Sequence, residues 1–519
     1  MNMPMRKYPV GIQSFEKIRD EGYAYVDKTS HIYRLASEGN YYFLSRPRRF
    51  GKSLLLSTMK AYFEGKRELF SGLAMEQLEQ EWKQYTVLYL DLNAEKYSEA
   101  GSLDSMLNHA LLQWEELYGT GVGEVTLATR FRGVITRAAK QSAAKRVVIL
   151  VDEYDKPLLE TFDKPDLQED YRATLKAFYG NLKSCDEYIR FAFLTGVTKF
   201  GKMSVFSDLN HLTDLTLDRR FCDICGISEK ELHDYFDEGV REVAEANGMS
   251  KEECFVRLKK DFDGYHFYPG SEGIYNPYSL LNTLSYGVFR DYWFETGTPT
   301  FLVQQLLKTD YPLERMTTED LTADTLNSID IMNQNPLPLL FQSGYLTIKE
   351  YDPVFNCYTL GFPNREVEQG FTQFLSNYYL PLQKGGSTFD LRLFVREIQN
   401  GEAEGFMKRL VALFADGDYR IVGDREVYFQ NTLYVFFKLL GFYVEVERHT
   451  SDGRMDVLMQ TKDYIYIIEI KVDQSADVAM QQIEERQYAA PFACDPRRLF
   501  KIGINFNSTS RTIDDWCVK

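Results

Sequence analysis

The chain has 519 residues, of which 44% are hydrophobic and 26% are charged, a composition that fits a globular protein and excludes a disordered or fibrous one. This length exceeds a single domain of about 100 to 200 residues, so we expect several domains. The formal net charge of −16 argues against a broadly basic nucleic-acid-binding surface, although a small basic cleft is compatible with it.

The termini and cysteines point to a cytoplasmic protein without a membrane partner. No apolar run approaches the roughly 20 residues that span a bilayer, and no apolar stretch follows Arg6 and Lys7. The seven cysteines are an odd number scattered along the chain, which favours reduced thiols. Cys222 and Cys225 form a CxxC motif without a second pair or a His cluster, so we predict no zinc site there.

Between residue 41 and about residue 195, short apolar runs alternate with amphipathic helical stretches, as in α/β proteins with a parallel sheet. The strand candidates are residues 41–45, 87–92, 147–151 and 190–194. Each run is short and rich in aromatic or β-branched residues, which is typical of strands buried on both faces.

The first strand candidate leads into a phosphate-binding loop and a helix. The loop is Arg46-Pro47-Arg48-Arg49-Phe50-Gly51-Lys52-Ser53, and we predict that all eight residues bind ATP. In this context backbone N–H groups at a helix N-terminus face phosphate, Lys52 contacts the β and γ phosphates, and Ser53 ligates Mg²⁺. Arg46 stands where the first Gly of the pattern belongs. The simpler alternative is a capped helix start.

Two carboxylates follow the third strand candidate. Asp152 is expected to hold Mg²⁺ and Glu153 to polarise the attacking water, since both tasks need acids at the carboxyl edge of the sheet. A solvated loop is the alternative. Thr195, after the fourth candidate, is either a polar sensor or a turn residue. Arg219 and Arg220 either contact phosphate or are surface charge.

Helical periodicity dominates between about residues 228 and 402. Near residues 337–371 a helix leads into strand candidates at 345–350 and 357–361 and then into another helix. This order suits a winged helix. From about residue 424 the pattern becomes α-β-β-β-α-β, with strand candidates at 443–447, 455–460, 464–472 and 499–505. This unit reads as a separate domain.

Three residues of the C-terminal unit predict a cation site. Glu469 and Lys471 differ by two positions on a strand and therefore share a face, which Asp456 reaches from a neighbouring antiparallel strand. Two carboxylates bind Mg²⁺ through oxygen, and a lysine can activate water or stabilise charge on phosphate. An exposed strand with alternating charges is the ordinary alternative.

Six segments together resemble the bacterial AAA-ATPase-like family. They are PVGIQSFEK (residues 9–17), YVDKT (25–29), RPRRFGKS (46–53), DEYD (152–155), DGY (263–265) and YNPYS (275–279). Members commonly carry the Arg-Pro-Arg-Arg-Phe form, so the resemblance accounts for Arg46 in place of Gly. It implies an ATP- and Mg²⁺-binding P-loop domain.

The C-terminal unit resembles the PD-(D/E)XK nuclease superfamily over about residues 420 to 510, in the form fused behind AAA-ATPase-like domains. The resemblance implies that Asp456, Glu469 and Lys471 form the catalytic core. Glu426 matches the auxiliary acid of the preceding helix, and Gln482 with Tyr488 matches a motif on the following helix. Met455 replaces the superfamily's Pro before Asp.

We therefore predict an α/β protein of three parts: a P-loop ATPase domain with a parallel sheet (1–225), a mainly helical region fitting a winged helix (226–402), and a restriction-endonuclease-like α/β domain (403–519). The expected function is ATP binding and hydrolysis coupled to Mg²⁺-dependent cleavage of DNA, or less readily RNA. The alternative is a nucleotide-switched interaction protein whose nuclease-like domain does not cut. The sequence is compatible with an oligomer.

Overall fold

The computed structural model describes residues 7–199, 205–206, 211–297, 300–327, 335–380, 391–415, 425–451, 454–510 and 512–519. It divides into two compact units, one of Met1–Gly297 with Thr317–Val367 and one of Thr298–Met316 with Glu368–Lys519. The predicted three-part boundaries at residues 225/226 and 402/403 stay a prediction. Within the described residues, no helix combines the length and apolarity needed to cross a membrane.

The N-terminal part of the first unit contains a five-stranded parallel sheet. Its strands are β1 (Tyr41–Ser45), β2 (Thr86–Asp91), β3 (Val147–Asp152), β4 (Ile189–Gly196) and β5 (Thr213–Asp214). Their order is β2-β3-β4-β1-β5. Four of the five follow the predicted runs to within two residues at either end. Strand β5 was not predicted, because two residues carry no periodicity.

Helices cover this sheet and surround it. They are α1 (Phe15–Asp20), α2 (Thr29–Glu38), α3 (Lys52–Phe63), α4 (Ala74–Leu78), α5 (Ser102–Tyr118), α6 (Leu127–Gln141), α7 (Lys156–Glu160), α8 (Pro165–Tyr179) and α9 (Asn181–Ser184). Short 3₁₀ turns lie at Arg67–Phe70, Leu92–Ala94, Asp186–Tyr188 and Arg219–Phe221. Every residue of β3 is buried, so both faces of this strand are covered, which explains the continuous apolar run.

Beyond residue 226, helices dominate as predicted. They are α10 (Glu229–Ala246), α11 (Lys251–Phe262), α12 (Pro277–Tyr286), α13 (Tyr292–Glu295), α14 (Thr300–Lys308), α15 (Ala323–Asn327), α16 (Leu337–Gln342) and α17 (Arg365–Tyr379). The strands here are β6 (Ile227–Ser228), β7 (Ile274–Tyr275), β8 (Asp320–Thr322), β9 (Thr347–Asp352) and β10 (Cys357–Gly361), with a 3₁₀ turn at Leu313–Thr317. Helices α10 and α11 both begin with a capping box, at Ser228 and Ser250.

Strand β8, two helices and the β9–β10 hairpin follow one another in the order that a winged helix has. The antiparallel sheet has the order β8-β10-β9, and α15 and α16 lie between β8 and the hairpin in the chain. The second helix of such a motif reads DNA when it is exposed. Here every residue of α16 is buried, so this helix packs inside the unit instead of presenting a surface to nucleic acid.

The C-terminal part carries a mixed sheet. Its helices are α18 (Leu391–Gln399), α19 (Ala403–Ala415), α20 (Arg425–Gly441) and α21 (Ala476–Glu485), and its strands are β11 (Glu445–Ser451), β12 (Arg454–Gln460), β13 (Tyr464–Val472), β14 (Arg498–Asn507) and β15 (Thr512–Val518). A 3₁₀ turn lies at Ala490–Phe492. The strands follow chain order in the sheet. Only β13 and β14 pair in parallel, with α21 as their crossover. Strand β15 was not predicted.

Candidate functional site

The phosphate loop joins β1 to α3, as the sequence predicts. Helix α3 begins at Lys52, and Gly51 caps it with a positive φ of 90°. Arg49 is also left-handed, with φ of 67°, a conformation that costs a non-glycine residue energy. The tight turn therefore places the N-terminus of α3, with its unpaired N–H groups and positive dipole end, at the carboxyl edge of the sheet.

The Lys52 side chain lies inside the loop. It is 4% exposed, and Nζ donates hydrogen bonds to the carbonyl oxygens of Arg46 and Pro47 at 3.0 and 3.2 Å. The Glu153 carboxylate is 3.6 Å from the same nitrogen. These partners hold the Lys52 ammonium group at the N-terminus of α3. A phosphate oxygen bound there can replace the two carbonyl oxygens as its hydrogen-bond acceptor.

The Arg46 side chain connects the loop to neighbouring backbone segments. Its guanidinium donates to the carbonyl oxygens of Ser45 and Thr216, both at 2.9 Å, and of Phe221 at 3.0 Å. It also lies 4.0 Å from the centroid of the Phe267 ring. Burial lowers the pKa of Arg46 to about 10. The side chain that replaces the first Gly thus anchors neighbouring segments and does not line the cavity described below.

Asp152 and Thr195 lie close together because they stand at the carboxyl ends of the adjacent parallel strands β3 and β4. The Thr195 hydroxyl donates to Asp152 Oδ1 at 2.6 Å, and both residues are buried. Burial raises the pKa of Asp152, while hydrogen bonds from Ser53 and Thr195 and the charge of Lys52 oppose the rise. Thr195 is therefore a strand residue that orients a carboxylate, rather than a turn residue.

The segment after Asp152 is fixed by a second buried carboxylate. Asp155 accepts hydrogen bonds from the backbone N–H groups of Val197 and Thr198, at 3.2 and 2.6 Å, and from the Thr198 hydroxyl at 2.7 Å. Burial and the nearby Glu153 charge raise the pKa of Asp155 to about 6. Gly196 is required beside it, since a Cβ there would lie 2.5 Å from Asp155 Oδ1.

A cavity of about 430 Å³ opens at this edge of the sheet. Its lining includes four basic side chains and two acidic ones, Arg48, Arg49, Lys52, Lys156, Glu153 and Glu160, with Ser53 between them. Residues 9–13 and the first turn of α12 complete the wall. The Arg49 guanidinium lies 5.1 Å from the centroid of the Tyr278 ring. The cavity thus combines basic and acidic side chains with apolar and aromatic residues in one wall.

Other predicted loop residues face away from this cavity. Phe50 is buried, 4.8 Å from the Tyr265 ring centroid, and a Cβ at Gly344 would touch the Pro47 ring at 2.6 Å. Arg220 pairs with Asp218 and Glu38 on the surface, which favours the surface-charge interpretation for that residue. Cys222 and Cys225 are free thiols.

In the C-terminal sheet, Glu469 and Lys471 form a buried ion pair. Lys471 Nζ lies 2.5 Å from Glu469 Oε1 and 2.6 Å from Gln482 Oε1. Their exposures are 0% for Glu469 and 5% for Lys471. Gln482 reaches the pair because α21 packs closely on β14, where a Cβ at Gly503 would lie 2.5 Å from the Ala476 carbonyl oxygen. The alternating-charge strand is therefore buried, not exposed.

The other predicted nuclease residues lie on the same framework. Asp456 pairs in register with Glu469 across β12 and β13, which places the two residues on one face of the sheet. Glu426 lies in the first turn of α20. The side chains of Asp456 and Glu426 lie outside the described residues. Tyr488 packs beside the apolar cluster of Ile467, Met480 and Ile483.

One observation supports a divalent cation beside Glu469. Glu469 Oε2 is buried without a hydrogen-bond partner in the described part of the chain, and an orphaned carboxylate oxygen is costly unless a ligand satisfies it. Among the described residues, no group of three His, Cys, Asp or Glu side chains could hold a metal ion. The described ligand is thus Glu469 alone, with Asp456 expected on its face.

Several cavity residues were not predicted as site residues. Residues 9–13, Lys156 and Tyr278 line the cavity, and Trp293 contacts the loop. Two of these segments carry recognisable sequence, since residues 9–13 belong to the PVGIQSFEK segment and Asn276-Pro277 is a helix-start signal that caps α12. Nothing local, however, indicates that they face a loop far away in sequence.

Comparisons with known proteins find a family for each of the two parts of the chain that carry these residues. Residues 9–206 match a family model described as "Predicted AAA-ATPase", and residues 424–516 match the PD-(D/E)XK nuclease superfamily. The chain is 33% identical over 535 residues to a protein of Azotobacter chroococcum mcd 1 described as "Uncharacterized protein in vnfD 5'region", covering 100% of this chain and 99% of that relative. No solved structure matches. The chain therefore belongs to the predicted AAA-ATPase family and carries a PD-(D/E)XK nuclease superfamily domain in its C-terminal part.

Proposed function

We propose that this protein binds and hydrolyses ATP and that nucleotide turnover controls a Mg²⁺-dependent nuclease domain acting on DNA. The observation that carries the proposal is the cavity at the end of β1, where Lys52, Ser53 and Glu153 line one space. A helix N-terminus, a lysine and an acid at this edge are the parts that phosphoryl transfer to water requires.

The ATPase half uses residues of three neighbouring strands. Lys52 and the N-terminal N–H groups of α3 bind the β and γ phosphates, and Glu153 orients the attacking water. Ser53 and Asp152 would hold Mg²⁺, whose chemistry is to neutralise charge on the phosphates. The Thr195 hydroxyl keeps the Asp152 carboxylate oriented through its 2.6 Å hydrogen bond.

The nuclease half uses one face of the C-terminal sheet. Glu469 and Asp456 would hold Mg²⁺, whose chemistry there would be to polarise a phosphodiester and activate water. Lys471 stabilises the negative charge that builds up on phosphate, and Gln482 keeps its ammonium group in place at 2.6 Å. Glu426 is the auxiliary acid. DNA is favoured over RNA as the substrate by the family resemblance alone.

A nucleotide-switched interaction protein with a non-cleaving nuclease-like domain is the second candidate. The net charge of −16 favours it, because DNA binding gains affinity from many phosphate contacts by Lys and Arg. Mg²⁺ binding separates the two, since a retained nuclease binds Mg²⁺ or Mn²⁺ at Glu469 and the alternative protein does not.

The test is a cleavage assay on single-stranded DNA, duplex DNA and RNA, with Mg²⁺, and with and without ATP. Asp456→Ala and Lys471→Ala should remove cleavage while ATP hydrolysis continues. Glu153→Gln should retain ATP binding and lose turnover. Equal cleavage by wild type and both nuclease variants would refute the nuclease assignment, and unchanged turnover in Glu153→Gln would refute the role of Glu153.

A further inference from the structure

The backbone of the phosphate loop needs support from outside the loop. Where backbone N–H groups face a phosphate, the carbonyl oxygens of the same turn face outward and need donors. In this chain the turn carries arginines in place of flexible glycines, and Arg49 has a φ of 67°. A partner that holds the carbonyl oxygen of Arg48 would keep this strained turn in the phosphate-binding conformation.

Trp293, from α13, supplies that donor. Its indole Nε1–H donates to the Arg48 carbonyl oxygen at 3.1 Å, and the residue is 4% exposed. The Arg48 guanidinium also lies next to the segment that follows Trp293. A Cβ added at Gly297 would be 3.2 Å from Arg48 Nη1. The carbonyl and the guanidinium of Arg48 therefore both contact the chain between residues 293 and 297.

The backbone of Trp293 is held in turn by Glu366. The Trp293 N–H donates to Glu366 Oε1 at 2.8 Å and to the Ser279 hydroxyl oxygen at 3.1 Å. Ser279 Oγ donates to the same Glu366 oxygen at 2.9 Å. Ser279 lies in the first turn of α12, beside Pro277 and Tyr278 of the cavity wall. One carboxyl group thus joins the loop support to the wall of the cavity.

The surroundings of Glu366 are unusual for a group with only a packing role. It is 3% exposed, and Oε2 has no hydrogen-bond partner in the described part of the chain. Burial raises the pKa of Glu366 to about 8, the nearby Asp291 and Asp261 add to the rise, and the bonds from Ser279 and Trp293 oppose it. A neutral carboxyl group at neutral pH still accepts the Trp293 and Ser279 hydrogen bonds.

We propose that Trp293 and Glu366 are positioning residues of the nucleotide cavity: Trp293 holds the Arg48 carbonyl oxygen outward, and Glu366 holds Trp293. This inference rests on the proposed nucleotide binding. A purely structural role would lower stability and leave nucleotide affinity unchanged. A positioning role lowers the affinity because the loop leaves the conformation that meets the phosphates.

The test is the dissociation constant of MgATP, measured by calorimetry on the full chain. Trp293→Phe keeps an aromatic ring and removes only the N–H donor, so the dissociation constant should rise about tenfold, as expected for one buried carbonyl left unpaired. Trp114→Phe is the control, since Trp114 lies in the core beside α6. It should bind MgATP like wild type.

Glu366 is tested by a conservative and a disruptive variant. Glu366→Gln keeps an oxygen acceptor and should bind MgATP within about twofold of wild type, while Glu366→Leu should weaken binding about tenfold. If Glu366→Leu does not fold, Ser279→Ala, which removes one partner of the pair, should still weaken binding severalfold.

The outcomes separate this inference from the function on which it rests. Wild-type affinity in Trp293→Phe, with binding lost in Lys52→Ala, would overturn the inference alone. An equal loss of MgATP affinity in Glu366→Gln and Glu366→Leu would overturn the positioning role of Glu366. Wild-type affinity in Lys52→Ala would overturn the proposed nucleotide site itself.

Discussion

Arg46 occupies the position at which a phosphate loop normally has its first glycine. At the first Gly position of a phosphate loop, a small residue lets the chain turn tightly. In this chain the turn carries an arginine whose guanidinium is bound to three backbone carbonyl oxygens. The sequence predicts that Arg46 contacts the nucleotide, and the structure places its guanidinium against these backbone oxygens, because a motif shows which residue is present and not where its side chain points.

Thr195 tests the ATPase site at the level of one hydroxyl group. Thr195→Val keeps the buried volume and removes the hydrogen bond to Asp152, so the carboxylate loses orientation and its pKa rises further. We expect ATP turnover to fall by about tenfold or more, as for other groups that orient a metal ligand, with a higher Mg²⁺ requirement. Turnover is measured against Mg²⁺ concentration.

The control for that substitution is Thr161→Val, which removes an equally buried hydroxyl whose hydrogen bonds, among the described residues, go to the carbonyl oxygens of Pro157 and Leu158 in α7. It should cost stability and leave the Mg²⁺ requirement unchanged. Identical Mg²⁺ curves for wild type and Thr195→Val would show that Asp152 does not need this hydroxyl.

The Glu469–Lys471 pair makes a double-mutant prediction. Lys471→Met leaves a buried carboxylate without its cation, which should destabilise the second unit by about 3 to 5 kcal/mol. Adding Glu469→Gln removes the charge, so it should recover most of that loss and should abolish Mg²⁺ binding. Denaturant unfolding and Mg²⁺ calorimetry measure the two effects. A double variant no more stable than the single one would show that the pair is not coupled.

At the level of elements, burial on both faces decided what could be predicted. Strands β1 and β13 stand where their apolar runs predicted, because continuous apolar runs have few other uses. Strand β15 was missed since it contains the exposed Asp514 and Asp515 and is only partly buried. The motif loops were predictable because their residues are adjacent in sequence. The part of the cavity wall formed by residues 9–13 and Tyr278 was not predictable, since only tertiary packing brings these residues to the loop.

Gly503 tests the placement of α21 on the nuclease-like sheet. In Gly503→Ala, the new Cβ would meet the Ala476 carbonyl oxygen at 2.5 Å and the Met480 nitrogen at 3.2 Å. Because both are backbone atoms, α21 must move, which should cost about 1 to 3 kcal/mol and carry Gln482 away from Lys471. Hydrogen exchange in α21 and β14 reports the change.

Gly441→Ala is the matched control, because the nearest atom to its Cβ would be Val446 Cβ at an ordinary 3.8 Å. It should leave exchange in α21 and β14 as in wild type. Unchanged exchange in Gly503→Ala as well would mean that the helix does not sit as closely on β14 as the structure has it.

At the scale of the whole molecule, acidic composition and local basic chemistry coexist. The chain has a net charge of −16, yet four basic side chains line one cavity. In the segment with the element order of a winged helix, the second helix is buried, so that order alone would suggest a DNA-binding role that the burial does not support. Function in this chain follows from sites rather than from overall charge or fold.

The stability of the first unit should depend on pH through Glu366. Its folded pKa of about 8 lies above the ordinary carboxyl value, so the folded state keeps a proton that the unfolded chain has lost. The stabilisation is present at low pH and is lost as pH rises through about 8. Between about pH 4.5 and 8, this group alone lowers the unfolding free energy by up to about 1.4 kcal/mol per pH unit.

Glu366→Gln carries no titrating proton and should remove that slope, while the contribution of Asp155 remains in both proteins. Unfolding of the first unit is followed by hydrogen exchange between pH 6 and 8. Parallel pH profiles for wild type and Glu366→Gln would contradict a protonated Glu366.

The central claim is that the loop at Lys52 binds ATP, and equilibrium binding of MgATP to Lys52→Ala tests it most directly. Lys60→Ala is the matched control, because Lys60 lies on the same helix with its side chain 44% exposed. The account predicts that Lys52→Ala weakens MgATP binding by about a hundredfold or more, as for a buried cation that contacts two phosphates, and that Lys60→Ala binds like wild type. Wild-type affinity in Lys52→Ala would contradict it.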